Sequence, residues 1–246
     1  MGRDARAADG RSGAARGGAL AAGLRPERYD ALAPPARAAL ARLAGRAWAA
    51  DYYLAGGAAL ALYLGHRTAH ALDLMSATDR LAPADRRDRL ADLVALDPGT
   101  RVETARDGYL FVELPPGVAL RCYWYPYPLV GAVESAAGFA VASLLDLALM
   151  KLGAVISRGT RRDFVDLHLA SRALPLERVL ARADEKFGHV GDFALQAWKA
   201  LADFSEAEAE PMPELAVELD WAEVRAWALD EAARGGRAAL AGSTPA

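Results

Sequence analysis

Tyr52-Tyr53-Leu54-Ala55-Gly56-Gly57-Ala58-Ala59-Leu60, followed by Leu72-Asp73-Leu74, decides the reading of this chain. The first run opens with β-prone aromatic and aliphatic residues. It passes through two glycines and continues in helix formers, so it reads as a strand over 51–54, a tight turn and a helix over 58–64. Glycine has no Cβ and accepts positive φ, so the backbone can turn sharply and let other groups approach. N–H groups at a helix start point outward, and the helix dipole favours an anion there. The second run alternates over 70–75 and reads as a strand with Asp73 near its centre.

Working outward, Pro34-Pro35 fits a helix start, and the apolar spacing of 36–49 suits that helix. Residues 83–96 read as an amphipathic helix rich in Asp and Arg. Three β-like runs follow at 100–105, 109–114 and 118–124, separated by Gly108 and the Pro115-Pro116-Gly117 turn. The order strand, helix, strand, helix, three strands predicts an α/β (α+β) core over 26–142, a mixed sheet with helices on one face. From Ser143 onward the pattern is helical. Ser143 with Asp146 resembles a capping box that opens a helix to about Ser157. Further helices are expected at 160–173, 175–187, 191–203 and 220–233, giving a C-terminal helical region over 143–233. Residues 234–246 read as a frayed tail. The Gly-, Ala- and Arg-rich residues 1–25 carry too little apolar surface to offset their ordering entropy and read as disordered.

Bulk composition narrows the classes. Hydrophobic residues make up 53% and charged residues 25%, as expected of a globular protein, and the net charge of -3 gives no global attraction to nucleic acid or membrane. One cysteine, Cys122, excludes a disulfide framework and a multi-cysteine zinc site. The expected location is therefore cytoplasmic. No apolar run has the length of a membrane helix, because Asp146 and Lys151 interrupt the longest one. Between Ser205 and Glu223 stand seven acids and no base, which reads as a solvated surface that repels phosphate.

Three motifs in order resemble the AbiEii/AbiGii toxin family of nucleotidyltransferase-fold proteins, over roughly residues 28–232. The first is Leu54-Ala55-Gly56-Gly57 with Leu64-Gly65-His66-Arg67. The second is Tyr125-Pro126-Tyr127-Pro128-Leu129. The third is Ser143-Leu144-Leu145-Asp146, Met150-Lys151-Leu152 and Arg158-Gly159-Thr160-Arg161-Arg162-Asp163-Phe164-Val165-Asp166. The resemblance implies a small nucleotidyltransferase-type fold and transfer of a nucleotide from a nucleoside triphosphate to an acceptor, RNA (tRNA included). It also implies Mg²⁺ and a cognate antitoxin. Asp73 becomes the metal ligand and, with Asp163 and Asp166, a catalytic candidate. Gly56, Gly57, Arg67 and Lys151 become the nucleotide-binding set.

The departures from the family pattern carry equal weight. Two acids at i and i+2 on one strand share a face and hold divalent metals against a triphosphate. Here the first acid of the pair is Ala71. The family's hydroxyl after the glycines is Ala58, and a further serine is Ala69. The neighbouring strand over 118–124 brings Arg121 instead of a third acid. Arg121 is expected beside Asp73, in place of the metal's charge.

Bland readings stand next to these. Gly56-Gly57 can be a plain turn, Asp73 a salt-bridged remnant and Arg67 a helix C-cap. Lys151 with Asp163 or Asp166 can form a structural ion pair. Tyr123, Trp124, Tyr125 and Tyr127 suit either base stacking or core and rim packing. Cys122 reads as a small buried hydrophobe. Two functions therefore stay open: a transferase, and a catalytically inactive pseudoenzyme that binds a nucleotide or a protein.

Overall fold

A computed structural model describes residues 26–242. Seven strands form one mixed sheet: β1 (Tyr53–Ala55), β2 (Leu72–Ser76), β3 (Arg101–Arg106), β4 (Tyr109–Leu114), β5 (Val118–Trp124), β6 (Glu134–Ala136) and β7 (Phe139–Val141). Their spatial order is β3-β4-β5-β2-β1-β7-β6. β2 pairs antiparallel with β1 and parallel with β5, which places the site strands at the centre of the sheet.

The burial alternation shows why the sheet has a usable face. In β2, β4 and β5 every second residue is buried: Leu72 and Leu74, Leu110 and Val112, Leu120 and Cys122. The residues between them, Asp73, Phe111, Arg121 and Tyr123, are only partly covered. An antiparallel or mixed sheet can leave one face open in this way. Phe111, Arg121 and Asp73 are register partners in sequence across three adjacent strands, so they form one row on that open face.

The helices are α1 (Pro34–Ala44), α2 (Gly56–Leu64), α3 (Pro83–Leu96), α4 (Leu144–Ser157), α5 (Arg161–Ala173), α6 (Leu176–Leu180), α7 (Ala183–Phe187), α8 (Phe193–Leu201), α9 (Ser205–Glu208) and α10 (Trp221–Gly242). α2 is apolar nearly all round and packs against β1, β2, α4 and α5. Burial on every side is the expected fate of such a helix. None of the described helices is long and apolar enough to cross a membrane.

Several boundaries differ from the sequence reading. α1 stops at Ala44 before Gly45, and residues 47–51 form a 3-10 turn, so β1 begins at Tyr53. The helix expected over 175–187 breaks into α6 and α7. The tail expected to fray from 234 continues as helix to Gly242. The hairpin β6–β7 was not foreseen. The tail expected to be disordered over 1–25 lies outside the described residues. Ser143 does cap α4, accepting the Asp146 N–H at 3.0 Å. The Asp146 carboxylate does not close a capping box, however. It accepts the Val130 and Gly131 N–H groups, each at 2.9 Å, and the Ser143 hydroxyl at 2.7 Å.

Candidate functional site

The open face of the sheet, the start of α2, the second half of α4 and the start of α5 meet at one cleft. At its floor Asp73 of β2 lies opposite Ala55 of β1 and Arg121 of β5. Arg121 donates from Nη1 to Asp73 Oδ1 at 3.4 Å, and its guanidinium lies 5.0 Å from the Phe111 ring centre. The expected neighbour of Asp73 is thus in place. Both side chains reach solvent in the cleft, Asp73 at 22% exposure and Arg121 at 31%.

The two glycines are more than a turn. Gly56 has φ +63, and a Cβ there would lie 2.4 Å from Asp73 Oδ2. A Cβ on Gly57 would lie 1.9 Å from Arg67 Nη2. The missing side chains therefore make room at the start of α2 for one carboxylate and one guanidinium. Both groups line the cleft, as does Gly57 itself.

Behind the floor sits a buried ion network built on α5. Asp166 accepts from His66 Nε2 at 2.8 Å and from Arg67 Nε and Nη2 at 3.0 and 3.1 Å, and it pairs with Lys151 Nζ at 2.9 Å. Facing an ionised carboxylate, His66 Nε2 is the donor. Asp163 accepts from Arg158 Nε at 2.7 Å and Nη2 at 2.9 Å, from the Thr160 hydroxyl at 2.6 Å and from Lys151 at 3.0 Å. Burial pushes Asp163 up, but Arg158, Lys151 and Thr160 outweigh it and hold the carboxyl at about 2. Burial likewise opposes ionisation of Asp166, and Lys151, His66 and Arg67 hold it well below the usual carboxylate range.

This geometry places Asp163 and Asp166 in an ion network, the structural alternative to a catalytic role. Every carboxylate oxygen of the pair is engaged by a cationic side chain, His66 or Thr160, and neither residue lines the cleft. The first turns of α5 face α4 and the His66-Arg67 turn, so these acids act as anchors. What they anchor does line the cleft: Arg67, Lys151 and Arg158. The pairing of Lys151 with Asp163 or Asp166 holds for both. Arg67 is an ion-paired cleft residue, not a helix cap.

The cleft encloses about 770 Å³. Five cationic side chains line it (Arg67, Arg121, Lys151, Arg158 and Arg162) against two carboxylates, Asp73 and Glu214. A chain of net negative charge thus keeps a cationic pocket, the setting in which local fields concentrate an anion. Its fourth wall was not foreseen. Pro213, Glu214, Leu215 and Ala216 line the cleft, and the Ala216 N–H reaches the His66 carbonyl at 2.8 Å. The acidic stretch read as a solvated surface is in part a strap across the site. Its proline spacing and apolar Leu215 were the available signal. His66, Arg158 and Arg162 were also missed as site residues. The arginines stood close in sequence to Asp163, whereas His66 meets Asp166 only through the fold. Of the aromatic cluster, Tyr123 lines the cleft; Tyr127 instead packs on Phe187 and His189. Cys122 is buried, and burial pushes its thiol up to about 12, as suits an inert core residue.

The donor set does not fit the Mg²⁺ that the resemblance implies. Ala71 lines the cleft where the second strand acid would stand, and Asp73 is shared with Arg121. Among the described residues no three His, Cys, Asp or Glu side chains gather to hold a metal ion.

A mixed sheet with a glycine-opened helix at its centre and an acid on the adjacent strand is the arrangement of nucleotidyltransferase-type proteins. The family model "Nucleotidyl transferase AbiEii toxin, Type IV TA system" matches residues 38–233, and the chain belongs to that family. An uncharacterized protein of Aquifex aeolicus is 29% identical over 178 residues, covering 71% of this chain and 82% of that one. Among solved structures, JHP933 from Helicobacter pylori is similar at 17% identity and TM-score 0.47, over 84% of this chain and 91% of that one. MenT4, a nucleotidyltransferase toxin from Mycobacterium tuberculosis, is similar at 16% identity and TM-score 0.44, over 81% of this chain and 82% of that one.

Proposed function

We propose that this member of the family binds a nucleoside triphosphate in the cleft over Gly57 and Asp73. The observation that supports this most is the convergence of Arg67, Arg121, Lys151, Arg158 and Arg162 on one pocket at the start of α2. Guanidinium forks suit phosphate oxygens, and a helix start adds backbone N–H groups. Tyr123 and the strap leave an apolar and aromatic side for the nucleoside. Lys151, Arg67 and Arg158 are held in place by Asp163 and Asp166, so the phosphate side is preorganised.

The role is binding rather than metal-assisted transfer, because one shared carboxylate is a poor divalent cage. A second reading is transfer of the nucleotide to an RNA acceptor, as expected of the family. The exposure of Asp73 into the cleft favours it. An antitoxin partner is likewise expected from the family.

Calorimetry with ATP, GTP, CTP and UTP, on the wild type and Arg162→Glu, tests the proposal. Arg162 is exposed at the cleft, so charge reversal there leaves the core intact. Saturable binding that weakens about tenfold in the variant is the expected result. No heat with any of the four in the wild type rejects nucleotide binding. Labelled nucleotide appearing on RNA establishes the transfer reading instead.

A further inference from the structure

We infer that the cleft takes its polyphosphate free of divalent metal, and that Mg²⁺ competes for the ligand instead of bridging it to the protein. The inference rests on the nucleotide reading above and fixes the ionic form of the ligand.

Two features of the sheet carry it. Ala71 and Asp73 are spaced to share a face of the strand, and both line the cleft. The first presents a methyl group where a metal site needs an oxygen. The second is the register partner of Arg121, whose Nη1 donates to Oδ1 at 3.4 Å. An ion approaching that oxygen meets a guanidinium within a few ångströms, where like charges repel strongly. Mg²⁺ also demands near-ideal octahedral oxygen geometry and gives up its waters reluctantly. An Arg-shared carboxylate beside a methyl group offers neither geometry nor charge. Glu214, the other cleft acid, belongs to the strap and not to the sheet row.

The positive wall completes the argument. Part of the charge that Mg²⁺ would bring to a triphosphate is supplied by the protein: five cationic side chains line the cleft against Asp73 and Glu214, with Asp163 and Asp166 paired behind them, and Arg162 is exposed into it. A magnesium-bound triphosphate carries two fewer negative charges than the free one, and so is attracted less by that wall. The sign of the Mg²⁺ effect is therefore opposite to that of a two-carboxylate site.

The test is calorimetry of the full chain with the four nucleoside triphosphates, in EDTA and in excess MgCl₂ at matched ionic strength. The expected result is binding about tenfold tighter in EDTA. The double variant Ala71→Asp/Arg121→Ala restores the second acid and removes the guanidinium, and there Mg²⁺ is expected to strengthen binding. Circular dichroism establishes that this variant is folded; if it is not, the wild-type comparison decides alone. Equal or tighter wild-type binding with Mg²⁺ overturns the inference and leaves nucleotide binding standing. Mg²⁺ antagonism that persists in the folded double variant overturns the part assigned to Arg121. Absence of binding in both buffers overturns this inference and the nucleotide reading together.

Discussion

Gly56 and Gly57 are adjacent, yet they exclude side chains for different reasons. Gly56 sits at φ +63, where an L residue is strained by about 1–2 kcal/mol before any contact is counted. A methyl there would also press on Asp73, a short side chain on a central strand. Gly57 meets only the far end of Arg67, which is long enough to swing away. Urea denaturation of the two alanine variants is expected to show Gly56→Ala as the more destabilised, by ~1–3 kcal/mol relative to wild type. Gly57→Ala is expected to cost less, because the buried Asp166 keeps His66 and Lys151 when Arg67 swings away. At this scale the sequence was informative where chemistry demanded a partner. Lys151 on an apolar helix face called for an acid and found two. Ala71 beside Asp73 pointed to a compensating cation and found Arg121. His66 gave no such signal, because a histidine is tolerated in many settings and its acid lies a hundred residues further along.

α5 shows how one helix start serves both stability and the site. Thr160 caps it, Asp163 lies in its first turn, and Asp166 follows one turn on. The carboxyl of Asp163 is held at about 2, below the ~3.9 of an unfolded aspartate. A depressed acid stabilises the fold above its unfolded value, and that stability is lost as pH falls through the folded one. For Asp163 the window runs from about pH 4 down to about 2, and the shift corresponds to roughly 2–3 kcal/mol. Asp166 is depressed in the same direction and adds to the loss. Urea midpoints measured from pH 6 to pH 2 are expected to fall for the wild type. The fall should be shallower for Asp163→Asn, which starts lower at neutral pH. The elements that escaped the sequence reading escaped for a physical reason. The β6–β7 turn puts Ala137 at φ 51 and Gly138 at φ 76, both positive. Such two-residue hairpin turns favour Asn-Gly or Asp-Gly, and Ala-Gly gives no comparable signal.

A second buried pair, outside the lining of the cleft, joins α4 to α7. Lys186 of α7 donates to Asp146 Oδ1 at 2.9 Å and to the Pro128 carbonyl at 2.7 Å, and both charged side chains are fully buried. Burial lowers the lysine, and the paired Asp146 opposes that shift. Asp146 in turn holds the backbone of Val130 and Gly131, so three separate stretches of chain meet on one ion pair. Breaking a buried pair from one side leaves an uncompensated charge, and Lys186→Met is expected to cost about 3–5 kcal/mol. With α2 packed on α4 and α5, the parts before and after Ser143 are expected to unfold together. Tryptophan fluorescence and far-ultraviolet circular dichroism should give coincident urea transitions; two separated transitions would show that the parts fold independently. The start of α4 after Ser143 was legible from the change of periodicity. The ion pair it carries was not, because Lys186, Asp146 and residues 128–131 are brought together only by the fold.

The strap also sets an order in time. A protein is synthesised from its N-terminus, so the Gly57 turn, Asp73, Arg121 and Lys151 leave the ribosome before residues 213–216. Until those residues emerge, the cleft lacks one wall and the His66 carbonyl lacks its Ala216 partner. The nascent chain therefore holds every cationic residue of the site before it holds the strap, and the site cannot be complete until residue 216 has left the ribosome.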